Sequence, residues 1–158
     1  MIIIGYPGIG KTSLAGRNNC IDLESGNFWH NDKRPDNWVV YYCNIAEDLS
    51  KQGYVVFVSS HEAVRTRLQK YSNEKIICIY PALSLKNEWI NKLHIRWQIT
   101  KTTKDFKAYD NVNQYYDKQI QALIDCGLPT HELTSMDYSL NKIILNYKKE
   151  AFKERVTS

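Results

Sequence analysis

Residues 2–12 read Ile-Ile-Ile-Gly-Tyr-Pro-Gly-Ile-Gly-Lys-Thr, and no other stretch restricts the fold as tightly. Ile2, Ile3 and Ile4 form a β-branched run bounded by glycine, the pattern of a short strand covered on both faces. Gly5, Gly10, Lys11 and Thr12 then satisfy the spacing G-x-x-x-x-G-K-[ST]. Ser13, Leu14 and Ala15 continue it as a first helical turn. Strand, glycine loop and helix in this order predict a phosphate-binding loop, with Gly5, Pro7, Gly8, Ile9, Gly10, Lys11, Thr12 and Ser13 as its binding residues. The glycines let the backbone turn tightly, so that its N–H groups close on phosphate oxygens. The helix N-terminus adds partial positive charge. Lys11 is placed to reach the β- and γ-phosphates, and the Thr12 hydroxyl to ligate Mg²⁺.

The rest of the chain alternates in the same manner. "CIDLES" predicts a second strand, Cys20 to Leu23, ending in carboxylates. A polar loop with aromatics follows, about 26–37. Asp36 is expected to cap a helix whose Trp38, Tyr42, Ile45 and Leu49 share one face, and Gly53 to end it. "YVVFV" predicts a third strand, with Ser60 capping the next helix. "KIICIYP" predicts a fourth, stopped by Pro81. Trp89, Leu93 and Trp97 form one stripe of a further helix. "QITKTTKD" lacks periodicity and is expected to be mobile. A long helix spans Asp105 to Cys126, a weak fifth strand His131 to Leu133, and a last helix begins near Tyr138. Arg17 is expected near the end of the first helix, as a structural cation. The expected fold is therefore α/β, three layers α/β/α, with a five-stranded mostly parallel sheet. Ligands of such a sheet lie at the C-terminal ends of the strands.

At 158 residues the chain suits one domain. A net charge of +4 is modest: it suits anionic ligands but does not demand nucleic acid. Without an extra basic domain it weakens a polynucleotide-kinase or nucleic-acid ATPase reading, so a nucleic-acid partner is not expected. The four cysteines, Cys20, Cys43, Cys78 and Cys126, form no C-x-x-C pair and read as core thiols. The glycine loop starts by Gly5 and leaves no room for a signal peptide. No apolar run approaches the ~20 residues of a membrane span. A reducing cytoplasm and no membrane are the expectations.

Beyond the loop, the pattern resembles the nucleoside monophosphate kinase superfamily, which includes shikimate and gluconate kinases. The resemblance rests on the loop GYPGIGKT, on "IDLES" closing strand two, on "VVFVSSHEAVRTRL" running from strand into helix, and on "LKNEWINKLHIRW" followed by lysines. Small bacteriophage-encoded kinases look similar in length and in the "DLES"- and "SSH"-like segments. The resemblance implies an ATP-dependent kinase that uses Mg²⁺, with a nucleoside monophosphate or nucleoside as acceptor. It implies a lid over about 86–107, an acceptor flap over about 26–37, and adenine near Thr134 to Asp137.

Two patterns depart from related classes. The third strand ends Val58-Ser59-Ser60-His61, with no acid of the kind that GTPases and ring-forming ATPases use to orient Mg²⁺. No N-K-x-D guanine signature is present. By resemblance to shikimate-type enzymes, Asp22 takes the metal role with Thr12, and the catalytic set becomes Lys11, Asp22 and Arg96. Glu24 binds an acceptor hydroxyl, acts as a base, or is merely a solvated loop acid. Arg65 forks onto an acceptor phosphate or pairs at the surface. Phe28 and Trp29 stack on an acceptor base or plug the loop. Lys92 and Arg96, four apart on one face, join Lys86, Lys101, Lys104 and Lys107 as lid cations or as a solvated face. A small-metabolite kinase and a nucleotide-binding module with little turnover fit the same residues.

Overall fold

The computed structural model describes residues 1–28 and 33–157. Five strands, all parallel, form one sheet: β1 (Ile2–Gly5), β2 (Cys20–Asp22), β3 (Val55–Val58), β4 (Ile76–Pro81) and β5 (Thr130–Leu133), in the order β2-β3-β1-β4-β5. The central strand is the triple-isoleucine run. Ile4 pairs with Val58 on one side and Cys78 on the other. Every residue of β1, β3 and β4 is buried, which explains their unbroken apolar sequence. The edge strand β5 is half exposed, and its mixed sequence Thr-His-Glu-Leu follows from that.

Among the described residues, six α-helices cover the sheet: α1 (Lys11–Leu14), α2 (Trp38–Lys51), α3 (Glu62–Tyr71), α4 (Lys86–Thr100), α5 (Thr103–Ile124) and α6 (Leu140–Thr157). The link β1 to β2 runs across the sheet in the opposite sense to the later links. Right-handed crossover therefore puts α1 on the face opposite α2, α3 and α5. Helix α6 joins α1, since Asn141 and Lys148 both bond Asn18. The result is the expected three-layer α/β/α sandwich. The loops after all five strands open at one edge.

Several local expectations are corrected. Helix α1 is a single turn and ends at Leu14. Gly16, Asn18 and Asn19 all take positive φ and coil the chain directly into β2, which leaves Arg17 in a turn. The α2 and α3 caps are Asn37 and His61, without side-chain cap bonds, rather than Asp36 and Ser60. The stretch 98–105 is not irregular. Helix α4 runs to Thr100, Lys101 turns the chain at φ 56°, and Thr102 caps α5 by accepting from Asp105 N. Among the described residues, no helix is long and apolar enough to cross a membrane.

Candidate functional site

The loop after β1 is shaped by its glycines. Gly8 and Gly10 stand at φ 92° and 105°, conformations that disfavour any side chain. A Cβ on Gly5 would lie 2.6 Å from Ile9 Cδ1 and 3.1 Å from Lys11 Cδ. The loop carbonyls are occupied from outside. Trp89 Nε1 donates to Pro7 O at 2.8 Å, the Tyr138 hydroxyl to Ile9 O at 2.8 Å, and the Ser13 hydroxyl to Gly10 O at 2.8 Å. Among the described residues, the N–H groups of Gly8, Gly10, Lys11 and Thr12 have no acceptor. Such a set of unengaged donors around a turn is an anion cradle. Because α1 is one turn, its macrodipole adds little. The cradle itself supplies the positive potential.

Lys11 closes the cradle, with Nζ 3.4 Å from Gly5 O. Burial lowers the affinity of its ammonium for the proton, and the Asp22 and Glu24 carboxylates oppose that shift. Asp22 ends β2 and is aimed by the sheet; Leu23 N donates to Phe57 O. Burial raises the Asp22 pKa. Lys11 counters this, while the negative charge of the neighbouring Glu24 adds to the rise. Lys11, Asp22 and Glu24 thus form one electrostatic unit beside the exposed Thr12 hydroxyl. Among the described residues, no three acids, histidines or cysteines cluster as a metal cage. Thr12 and Asp22 carry the hard oxygen ligands that a Mg²⁺ would take alongside its waters.

Beside this unit lies a cleft of about 580 Å³, walled by the loops after β1, β2 and β3 and by α5. That volume suits a small-molecule site. Arg65 lines it, held by a bond from its Nε to Ser60 O at 3.2 Å. Ser59 bonds the His61 ring at its rim, and Tyr42 fastens the rim by donating to Leu23 O and accepting from Ser59 N. Phe28 does not line the cleft. It packs edge-on against Tyr42 at 5.6 Å and tilts against Trp38 at 6.3 Å. Trp29, its sequence partner, lies outside the described residues. The exposed aromatic lining the cleft is Tyr115 of α5, 49% exposed, with Asn111, Lys118 and Gln119 on adjoining turns. These four residues escaped sequence reasoning. The signal for them was a second, polar stripe next to the apolar stripe Val112, Tyr116, Ile120 and Leu123.

The α4–α5 hairpin arches over the loop. Trp89 and Leu93 hold α4 against Gly8, whose Cβ would lie 3.1 Å from either side chain. At the far end, Lys104 reaches Glu24 at 2.6 Å. Arg96 faces inward between these points and gives Nε and Nη2 to Asp105 Oδ1 at 2.9 and 2.7 Å. Lys92 lies 4.4 Å above the Trp89 ring and bonds the Tyr138 hydroxyl at 3.2 Å. It lines a second hollow, about 320 Å³, with Gly10, Ser13, Met136 and Tyr138. Met136 brings the segment 134–137 to the outer side of the loop. No protein-family model matches this chain, and a search among curated proteins finds no match.

Proposed function

We propose that this protein is an ATP-dependent phosphotransferase that moves the γ-phosphoryl group of Mg-ATP to a nucleoside monophosphate or nucleoside. The observation that carries this reading is the cradle of four unengaged N–H groups, closed by Lys11 and Asp22, that opens into a cleft large enough for a second ligand. Phosphoryl transfer requires positioning and charge neutralisation more than covalent chemistry, and these residues suit both. The cradle and Lys11 hold the phosphates. Thr12 and Asp22 hold Mg²⁺, whose charge draws electron density from the transferred group when it is bound. Arg96 adds a fork from above. The hollow at Met136 and Tyr138 takes the adenine end. In the cleft, Arg65 and Lys118 bind the acceptor's anionic group and Tyr115 offers its ring to a base. Glu24 orients the acceptor once it leaves Lys104.

The reading is tested by following ADP release against nucleoside monophosphates, nucleosides, sugar acids and oligonucleotides. One nucleoside monophosphate should stimulate turnover well above the rate without acceptor. Asp22→Asn should lower the stimulated rate on the order of 10²-fold, in the range found when a single charge-stabilising group is removed. No stimulation by any acceptor would make the protein a nucleotide-binding module. Gluconate- or shikimate-like acids outperforming every nucleotide would make it a small-metabolite kinase.

A further inference from the structure

Among the described residues, only two polar side chains are buried, Ser50 and Asp105. Ser50 is accounted for at the opposite edge of the sheet, where it meets the Met1 amine and Glu74. Asp105 is 8% exposed and lies at the tip of the α4–α5 hairpin, where a solvated side chain would serve a plain turn as well. Burying a carboxylate requires that its oxygens be matched by donors. Both are matched: Oδ1 takes Nε and Nη2 of Arg96, and Oδ2 takes the Thr100 hydroxyl at 2.6 Å. Burial alone would raise its pKa, but the bonds from Thr100 and Arg96 outweigh that and lower it, so it stays charged at neutral pH.

The direction of Arg96 follows from its neighbours. Trp89, Leu93 and Arg96 fall at i, i+4 and i+7 on one face of α4. The first two touch the glycine loop, so the third overhangs it by one further turn. From the other side, Lys104, next to Asp105, is bonded to Glu24, two residues beyond Asp22. Asp105 grips one edge of the guanidinium. The other edge, carrying Nη1, meets no acceptor among the described residues. That edge is a bidentate fork of the kind that matches a phosphate.

We infer that Asp105 is a positioning residue: it presents Arg96 to the terminal phosphate of a nucleoside triphosphate bound on the glycine loop, before the nucleotide arrives. The inference deepens the phosphotransferase reading and needs from it only that the loop binds nucleotide. The guanidinium is held over the γ-phosphate position, so it discriminates triphosphate from diphosphate without regard to any acceptor.

The test is the ratio of MgADP to MgATP dissociation constants, measured by calorimetry. In the parent protein MgATP should bind more tightly. Asp105→Asn should weaken MgATP roughly 10- to 100-fold, the size of a lost charged hydrogen bond, and leave MgADP unchanged. Arg96→Ala should do the same, and the double variant should be no worse than either alone. Asp105→Glu should recover part of the ratio. Thr100→Val separates positioning from mere hairpin integrity. It strips Oδ2 of its partner, lowers the melting temperature and leaves the ratio as in the parent. A parental ratio in Asp105→Asn overturns the inference and leaves the phosphotransferase reading standing. A ratio equally lost in Thr100→Val also overturns it, because hairpin order alone would then be responsible. Failure of the parent to bind either nucleotide overturns both.

Discussion

The glycine loop and the α4–α5 hairpin face each other across the same space and are held by opposite means. The loop keeps its shape through the backbone. Two glycines at positive φ turn it, and its carbonyls are tied to Trp89, Tyr138 and Ser13. The hairpin tip keeps its shape through side chains. Arg96, Thr100 and Thr102 converge on Asp105, and Trp97 stacks on Tyr109 and tilts against Phe106 behind them. A backbone cradle survives many side-chain changes but tolerates almost nothing at its glycines. A side-chain tip yields to a single lost charge. On the proposed function the difference has a use: the cradle would meet any polyphosphate, whereas the tip would hold Arg96 ready for the terminal phosphate.

The strongest break in this comparison is Gly8→Ala. The methyl group would lie 3.1 Å from both Trp89 and Leu93, on a backbone at φ 92°. Strain of about 1–3 kcal/mol is expected, with nucleotide affinity falling by a factor of ten or more in calorimetry. Next comes Trp89→Phe, which keeps a ring in the core and deletes the donor to Pro7 O. An unsatisfied loop carbonyl costs about 1–3 kcal/mol. The melting temperature should drop, and hydrogen exchange should quicken in the loop more than in the hairpin. Equal quickening in both would show that the two regions are one cooperative unit.

The smallest effect is expected from Lys104→Met. Its ion pair with Glu24 is largely exposed, and such pairs contribute at most about 1 kcal/mol. Stability should hardly change. The association rate of MgATP should rise, because this contact spans the mouth above the loop. A slower association in stopped-flow would mean that Lys104 steers the nucleotide rather than bars it.

The sheet and the loop could be read from the chain because their determinants are local. Three isoleucines, four apolar residues of β3 and the spacing of Gly5, Gly10 and Lys11 each lie within a dozen residues. Helix α1 was overestimated because Gly16, Asn18 and Asn19 coil left-handedly, which residue periodicity does not register. The link 98–105 at the hairpin tip reads as irregular for a different reason. Its order comes from Arg96 meeting Asp105 and from rings on two helices, pairs that exist only after α4 and α5 fold together. The link between Lys104 and Glu24 joins residues far apart in sequence, and no local pattern announces it. Phe28 showed the reverse error. A lone aromatic in a polar loop suggested a stacking platform, yet Tyr42 and Trp38 surround it. The cleft's own exposed ring, Tyr115, was concealed within a helix whose neighbouring face is core.

The central claim is that the loop over Gly5 to Ser13 is a triphosphate site whose charge is completed by Lys11. Calorimetric titration of MgATP into the parent and into Lys11→Ala tests it directly, with the melting temperature as a check on the fold. Among the described residues, the Lys11 ammonium donates one hydrogen bond, to Gly5 O at 3.4 Å, and no strand or helix depends on it. The account therefore predicts saturable one-to-one binding in the parent, binding weakened on the order of 10²-fold in Lys11→Ala as a charged hydrogen-bond partner is lost, and similar melting in both. Equal affinity in the two proteins, or no binding by the parent, would contradict it.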